Sequence, residues 1–118
     1  MKLPPPLDAA LGAALGAALD KKAEDAVVLD LRPVADFTDH FLLVSGTNQR
    51  QLVAIADAVL DTLRAAGRRP AHTEGYPRQE WILLDYDDFV VHVFTPRTRA
   101  FYDLERLWGG AKRMEVGG

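Results

Sequence analysis

Leu11, Leu15 and Leu19 recur every fourth residue within a run rich in alanine. That spacing lines one face of a helix and predicts a helix over 8–20, with Asp8 as its N-cap. Gly12 and Gly16 fall inside it, each costing about 1 kcal/mol against alanine. Ahead of it, Pro4, Pro5 and Pro6 make residues 1–7 a flexible Pro-rich lead of locally extended backbone. The apolar stretch 26–31 predicts a strand that Pro33 ends. A second strand is predicted at 41–45, where the apolar run is nearly unbroken and suits cover on both faces. Gly46-Thr47-Asn48 then turns the chain, and Thr47 or Asn48 is placed to cap a helix over 49–66. Leu52, Val53, Ile55, Ala56, Val59, Leu60 and Leu63 form its apolar stripe, and Gly67 stops it.

A short strand near 71–74 and a turn at Gly75-Tyr76-Pro77 follow. Two further apolar runs, 80–85 and 89–94, are separated only by Tyr86-Asp87-Asp88 and predict an antiparallel hairpin. Pro96 ends the second run and opens a helical turn. A final short helix is predicted at 103–108 and can run on from 97; the tail 109–118, with four glycines, reads as loose. The expected architecture is a single α/β domain over 8–108, a mixed β-sheet with flanking helices. The hairpin leaves no room for a crossover helix between its strands, which excludes a wholly parallel sheet.

Composition narrows the class. The 118 residues suit one domain. A hydrophobic share of 48% with 26% charged residues suits a globule rather than a disordered chain. The net charge of −3 argues against nucleic acid as the main partner and leaves a basic protein open. Absence of cysteine removes disulfides, thiol catalysis and thiolate metal sites, and fits a reducing, cytoplasmic setting. The opening MKLPPPLD does not read as a signal peptide, and no stretch reaches 18 apolar residues, so no membrane partner is expected.

Charge is distributed unevenly. Glu74, Glu80, Asp85, Asp87 and Asp88 face only Arg78 over 74–88, a net of −4. Arg97, Arg99, Arg106, Lys112 and Arg113 outweigh Asp103 and Glu105 over 97–113, a net of +3. Large aromatics beside carboxylates suit an interface that receives lysine or arginine. The same residues also suit a polar hairpin turn with Trp81 in the core. Strand alternation places Trp81, Leu83 and Asp85 on one face and Ile82 and Leu84 on the other, without saying which face is open.

Catalytic readings find little. Asp85-Tyr86-Asp87 has a D-x-D form suited to Mg²⁺, with Asp30 and Asp39 as further ligands, in a nucleotidyltransferase-like enzyme. No phosphate-binding loop accompanies it, and Ser45-Gly46-Thr47 is a weak anion nest. His40, His72 and His92 are scattered, and His92 in its apolar strand reads as structural. Ser45 completes no G-x-S-x-G elbow. Arg68-Arg69 and Lys112-Arg113 read as solvated ends.

The chain resembles the ribosomal silencing factor family, RsfS, also called Iojap-like. The resemblance covers about residues 9–108 and rests on several fragments in order. They are Lys22-Ala23-Glu24-Asp25, Thr38-Asp39-His40-Phe41, Ser45-Gly46-Thr47, Gln51 with Ala54-Ile55-Ala56-Asp57, and Glu74-Gly75. Glu80-Trp81-Ile82-Leu83-Leu84-Asp85-Tyr86, Val90-Val91-His92-Val93-Phe94 and Phe101-Tyr102-Asp103-Leu104-Glu105-Arg106-Leu107-Trp108 complete the set. The resemblance implies a nucleotidyltransferase-like topology without a catalytic site, no enzymatic activity and no cofactor. It implies a protein that binds the large ribosomal subunit through universal large-subunit protein L-fourteen, blocks joining of the small subunit and represses translation. It further implies an accessory contact with ribosomal RNA, a homodimer and a role in large-subunit assembly. Two positions depart from the family pattern: Asp87 stands where most relatives have Gly, and His40 where many have Tyr.

On this basis Trp81, Leu83 and Tyr86 are expected as anchors. Asp85, Asp87 and Asp88 are expected to meet lysine or arginine. Tyr102 and Glu105 would close the surface from the last helix, and Asp39 would either join the contact or hold the loop before the second strand.

Overall fold

The computed structural model describes residues 9–117. The expected Pro-rich lead and the Asp8 cap lie outside the described residues. The chain forms α1 (Ala9–Asp20), β1 (Glu24–Asp30), β2 (His40–Ser45), α2 (Gln49–Ala65), β3 (His72–Glu74), β4 (Trp81–Asp85) and β5 (Phe89–Phe94). It ends with α3 (Pro96–Tyr102), α4 (Leu104–Leu107) and β6 (Lys112–Gly117). The strands make one six-stranded mixed sheet in the order β3-β4-β5-β2-β1-β6. β2 and β5 run parallel at its centre, and every other neighbouring pair is antiparallel.

Local chemistry accounts for the helix ends. The Asn48 side chain accepts a hydrogen bond from the Gln51 backbone N–H and starts α2. Gly67, at φ 84, takes the left-handed turn after it, which costs glycine little. Thr95 and Thr98 form a reciprocal cap with Pro96 at the first position of α3.

The two sheet faces differ. Leu11, Ala14, Leu15 and Ala18 of α1 and Leu52, Ile55, Ala56, Val59 and Leu63 of α2 pack with Val28, Leu42, Ile82, Leu84, Val91 and Val93. Both long helices therefore cover the same face. The opposite face holds a smaller cluster of Val27, Leu29, Leu31, Phe41, Leu43, Val90 and Phe94. Ala35, Leu104, Trp108 and Ala111 pack against it from outside the sheet. β2 and β5 are buried along their whole length, which explains their continuous apolar runs.

Two expectations are corrected. The supposedly loose tail 109–118 contains β6, paired antiparallel to β1, so the ordered domain extends past 108. Met114 and Val116 alternate with Arg113 and Glu115, and the former pair packs on the helix side. The flanking glycines obscured this short alternation. The single terminal helix is two helices, because Asp103 sits in the left-handed region at φ 49 and breaks the ladder between them.

Candidate docking face

β4 alternates between half-buried and buried positions, with Trp81, Leu83 and Asp85 on the side away from the long helices. The register sets Trp81 opposite Phe94, Leu83 opposite His92 and Asp85 opposite Val90. Trp81 stacks on Phe94 with centroids 5.2 Å apart, and Tyr102 from α3 leans on it at 4.6 Å. The Trp81 indole N–H donates to Nδ1 of His92 at 3.0 Å. Burial holds the His92 pKa down at about 3, so the ring is neutral and Nδ1 keeps its lone pair. The indole is thus held by a hydrogen bond while remaining only partly covered.

Beyond Leu83 the surface drops into a small pocket of about 160 Å³ lined by Phe37, Thr38, Phe41, Leu83, Asp85, Val90 and His92. Phe37, 57% exposed, forms its outer lip and rests on Phe41 and Trp108 at 6.1 and 5.7 Å. Phe101 and Leu107, at 79% and 69% exposed, continue the apolar area along α3 and α4.

Carboxylates gather at the adjoining end of the sheet. Asp85 accepts the Asp87 backbone N–H at 2.9 Å, which holds Asp87 at φ 73 on the hairpin tip. This self-contained turn lets Asp adopt a left-handed backbone conformation that favours Gly. The Asp39 backbone N–H donates to the Asp88 carbonyl at 3.0 Å, bringing exposed Asp39 beside that tip. Asp88 is ion-paired with Arg68 at 2.7 Å, so part of its charge is neutralised internally.

The structure therefore brings together Trp81, Leu83, Asp85 and Tyr102, with Asp39, Asp87 and Asp88 at one end. Tyr86 and Glu105 are corrections. Tyr86 is 3% exposed in the helix-side core, stacked on Phe89 at 5.2 Å, so its ring is no surface anchor. The odd–even alternation that turns Trp81 outward also carries Tyr86 inward. Glu105 bridges Arg99 at 3.0 Å and Arg113 at 3.1 Å in a separate groove beside Asp25 and Val27. Burial alone would raise its pKa, and the two guanidiniums reverse this and lower it. Phe37 was missed: a lone aromatic in a polar loop carries no periodic signal, and only its place between Asp36 and Asp39 hints at a rim.

Asp30 and the Ser45-Gly46-Thr47 turn are both held in structural contacts. Asp30 binds Arg32 through both oxygens at 2.9 and 2.7 Å, and this hydrogen bonding holds its pKa down at about 2. Thr47 directs both its N–H and hydroxyl to Oε1 of Gln51, at 2.7 and 2.8 Å, which uses up the anion nest. Among the described residues no cluster of three or more His, Asp or Glu is placed to hold a metal ion. Among them, too, no helix is long and apolar enough to cross a membrane.

A mixed-sheet α/β domain with one helix-covered face and one partly bare aromatic face is the class this geometry defines. Residues 4–118 match the family described as "Ribosomal silencing factor during starvation". A Halalkalibacterium halodurans protein named ribosomal silencing factor RsfS is 39% identical over 99 residues, covering 84% of this chain and 85% of its own. The Bacillus subtilis protein of that name is 39% identical over 97 residues, 82% of each chain. A crystal structure of a Chromobacterium violaceum protein superposes with TM-score 0.83 at 35% identity, covering 92% of this chain and 91% of the other. The chain belongs to the ribosomal silencing factor family.

Proposed function

We propose that this protein is a non-enzymatic repressor of translation that binds the large ribosomal subunit through universal protein L-fourteen and blocks small-subunit joining. The observation that carries the reading is the half-bare Trp81–Leu83–Asp85 face with carboxylates along one end. Aromatic and aliphatic area supplies contact energy, and Asp39, Asp85 and Asp87 complement a basic protein. Family membership supports the ribosomal target. The mechanism needs no reaction: occupancy by a rigid domain excludes the second particle wherever its affinity exceeds that of subunit joining.

Cosedimentation with separate large and small subunits tests the binding, followed by a subunit-joining assay. Selective pelleting with large subunits and slowed joining are expected. Trp81→Ala is expected to cost about 2 kcal/mol of binding, a roughly thirtyfold weaker Kd. Free large subunits, or unchanged joining at saturating protein, refute the reading. Unchanged affinity of a folded Trp81→Ala protein removes Trp81 from the face.

A further inference from the structure

The pocket beneath Phe37 joins apolar walls to one carboxylate without a cation. Phe37 at its lip is exposed and Leu83 is half-buried, while Phe41 and Val90 are buried. Two other wall residues, Thr38 and His92, offer it no polar group. Thr38 Oγ1 and His92 Nε2 are sealed from solvent, and His92 Nδ1 holds the Trp81 indole. Asp85 is therefore the one polar side chain that the pocket can present. It is half-buried, and one of its oxygens accepts the Asp87 backbone N–H. Among the described residues its other oxygen has no hydrogen bond, and no lysine or arginine is ion-paired with it. Asp88 in the same turn differs, being paired with Arg68.

The volume of about 160 Å³ equals about five waters at liquid density, which is room for one side chain and not for a helix or strand. An apolar side chain would match the walls but strip water from Asp85 without giving it a partner, which is costly for a charge. An acidic one would be repelled by Asp85 and by Asp87 at the hairpin tip. An amide or hydroxyl would reach Asp85 and leave its charge uncompensated. A lysine or arginine satisfies both parts of the pocket. Its aliphatic stem lies along Phe37 and Leu83, and its charged head donates to the carboxylate.

We infer that this pocket is a socket for one lysine or arginine side chain of the basic protein partner, with Phe37 as a contact along the stem and Asp85 as the acceptor for the head. The inference rests on the docking reading above and names the aromatic and the carboxylate that share a single partner side chain. Trp81 and Tyr102 supply contact area beside the socket, while the inserted side chain sets the register between the two proteins.

Asp85→Asn removes the charge and keeps an oxygen to accept the Asp87 N–H, so the turn persists. The affinity of the full chain for purified large subunits should fall about tenfold and become less sensitive to salt. Phe37→Ala, at an exposed position, should also cost about tenfold. Both changes act on one inserted side chain, so the double variant should bind about tenfold weaker than wild type and not about a hundredfold. If thermal denaturation shows Phe37→Ala unfolded, Phe37→Leu takes its place in the same cycle, with about a threefold loss alone and no further loss on top of Asp85→Asn. Losses that multiply in the double variant, or wild-type affinity in either folded single variant, would overturn the inference. If Trp81→Ala weakens binding while Asp85→Asn and Phe37→Ala do not, the socket fails and the docking reading stands. If wild-type protein leaves large subunits free, both fail.

Discussion

The indole of Trp81 donates its one proton to His92, and the imidazole can accept it only while neutral. Burial secures that state by lowering the pKa from 6.5 to about 3. The sign of the resulting pH dependence follows directly. The unfolded chain binds a proton at this residue near pH 6.5, and the folded protein does not until about pH 3. Stability from this group is therefore complete above about pH 6.5 and falls as pH drops toward 3, with a limiting slope of about 1.4 kcal/mol per pH unit. Asp30 adds a loss of the same sign in a lower window, as pH falls from about 4 to about 2. Denaturation midpoints measured across pH should show the His92 slope, and His92→Gln should flatten it. The His92 ring protons should hold constant NMR shifts down to about pH 4. An imidazole titrating near pH 6 would contradict the buried, indole-bonded arrangement.

At the scale of elements, the turn before β4 aims the docking face. Gly75 has φ 96, and a Cβ there would lie 1.8 Å from the Trp81 carbonyl oxygen. Gly75→Ala must displace the start of β4, and with it the indole. We expect a loss of at least about 1–3 kcal/mol of stability and weaker large-subunit binding, read by thermal denaturation and cosedimentation. Unchanged values for both would show that the turn relaxes without moving Trp81. Most elements were legible because their patterns were local. The leucine spacing of α1, the stripe of α2 and the closely spaced runs of β4 and β5 each matched one template. β6 escaped because its alternation is short and flanked by glycine, and its pairing with β1 spans nearly the whole chain. The break at Asp103 escaped because a left-handed aspartate leaves no pattern in neighbouring residues. For the site, β4 alternation separated Trp81 and Leu83 from Ile82 and Leu84. The open side became legible only once α1 and α2 were seen on the same face. Tyr86 and Glu105 were misplaced because nearness in sequence stood in for nearness in space.

For the whole molecule, β6 closes the sheet along β1 and brings Val116, 4% exposed, into the helix-side core. Arg99 ties the same region together by donating to the Asp25 carbonyl at 2.6 Å and to Ser45 Oγ at 3.0 Å while pairing with Glu105. Removing residues 112–118 would bare the backbone edge of β1 and take Arg113 away from Glu105. The truncated chain should unfold at lower temperature and form larger species in size-exclusion chromatography, as an uncovered hydrophobic edge invites strand addition. A truncated chain that stayed monomeric with an unchanged melting temperature would show that β6 contributes nothing to the domain. The parallel pairing of β2 with β5 has a consequence for synthesis. A growing chain that has emerged only through α2 possesses β1, β2 and both covering helices, yet one flank of β2 stays without its neighbour until β5 follows. The N-terminal half therefore spends part of its birth as a two-layered fragment with an open seam, and translation of the hairpin is the event that seals it.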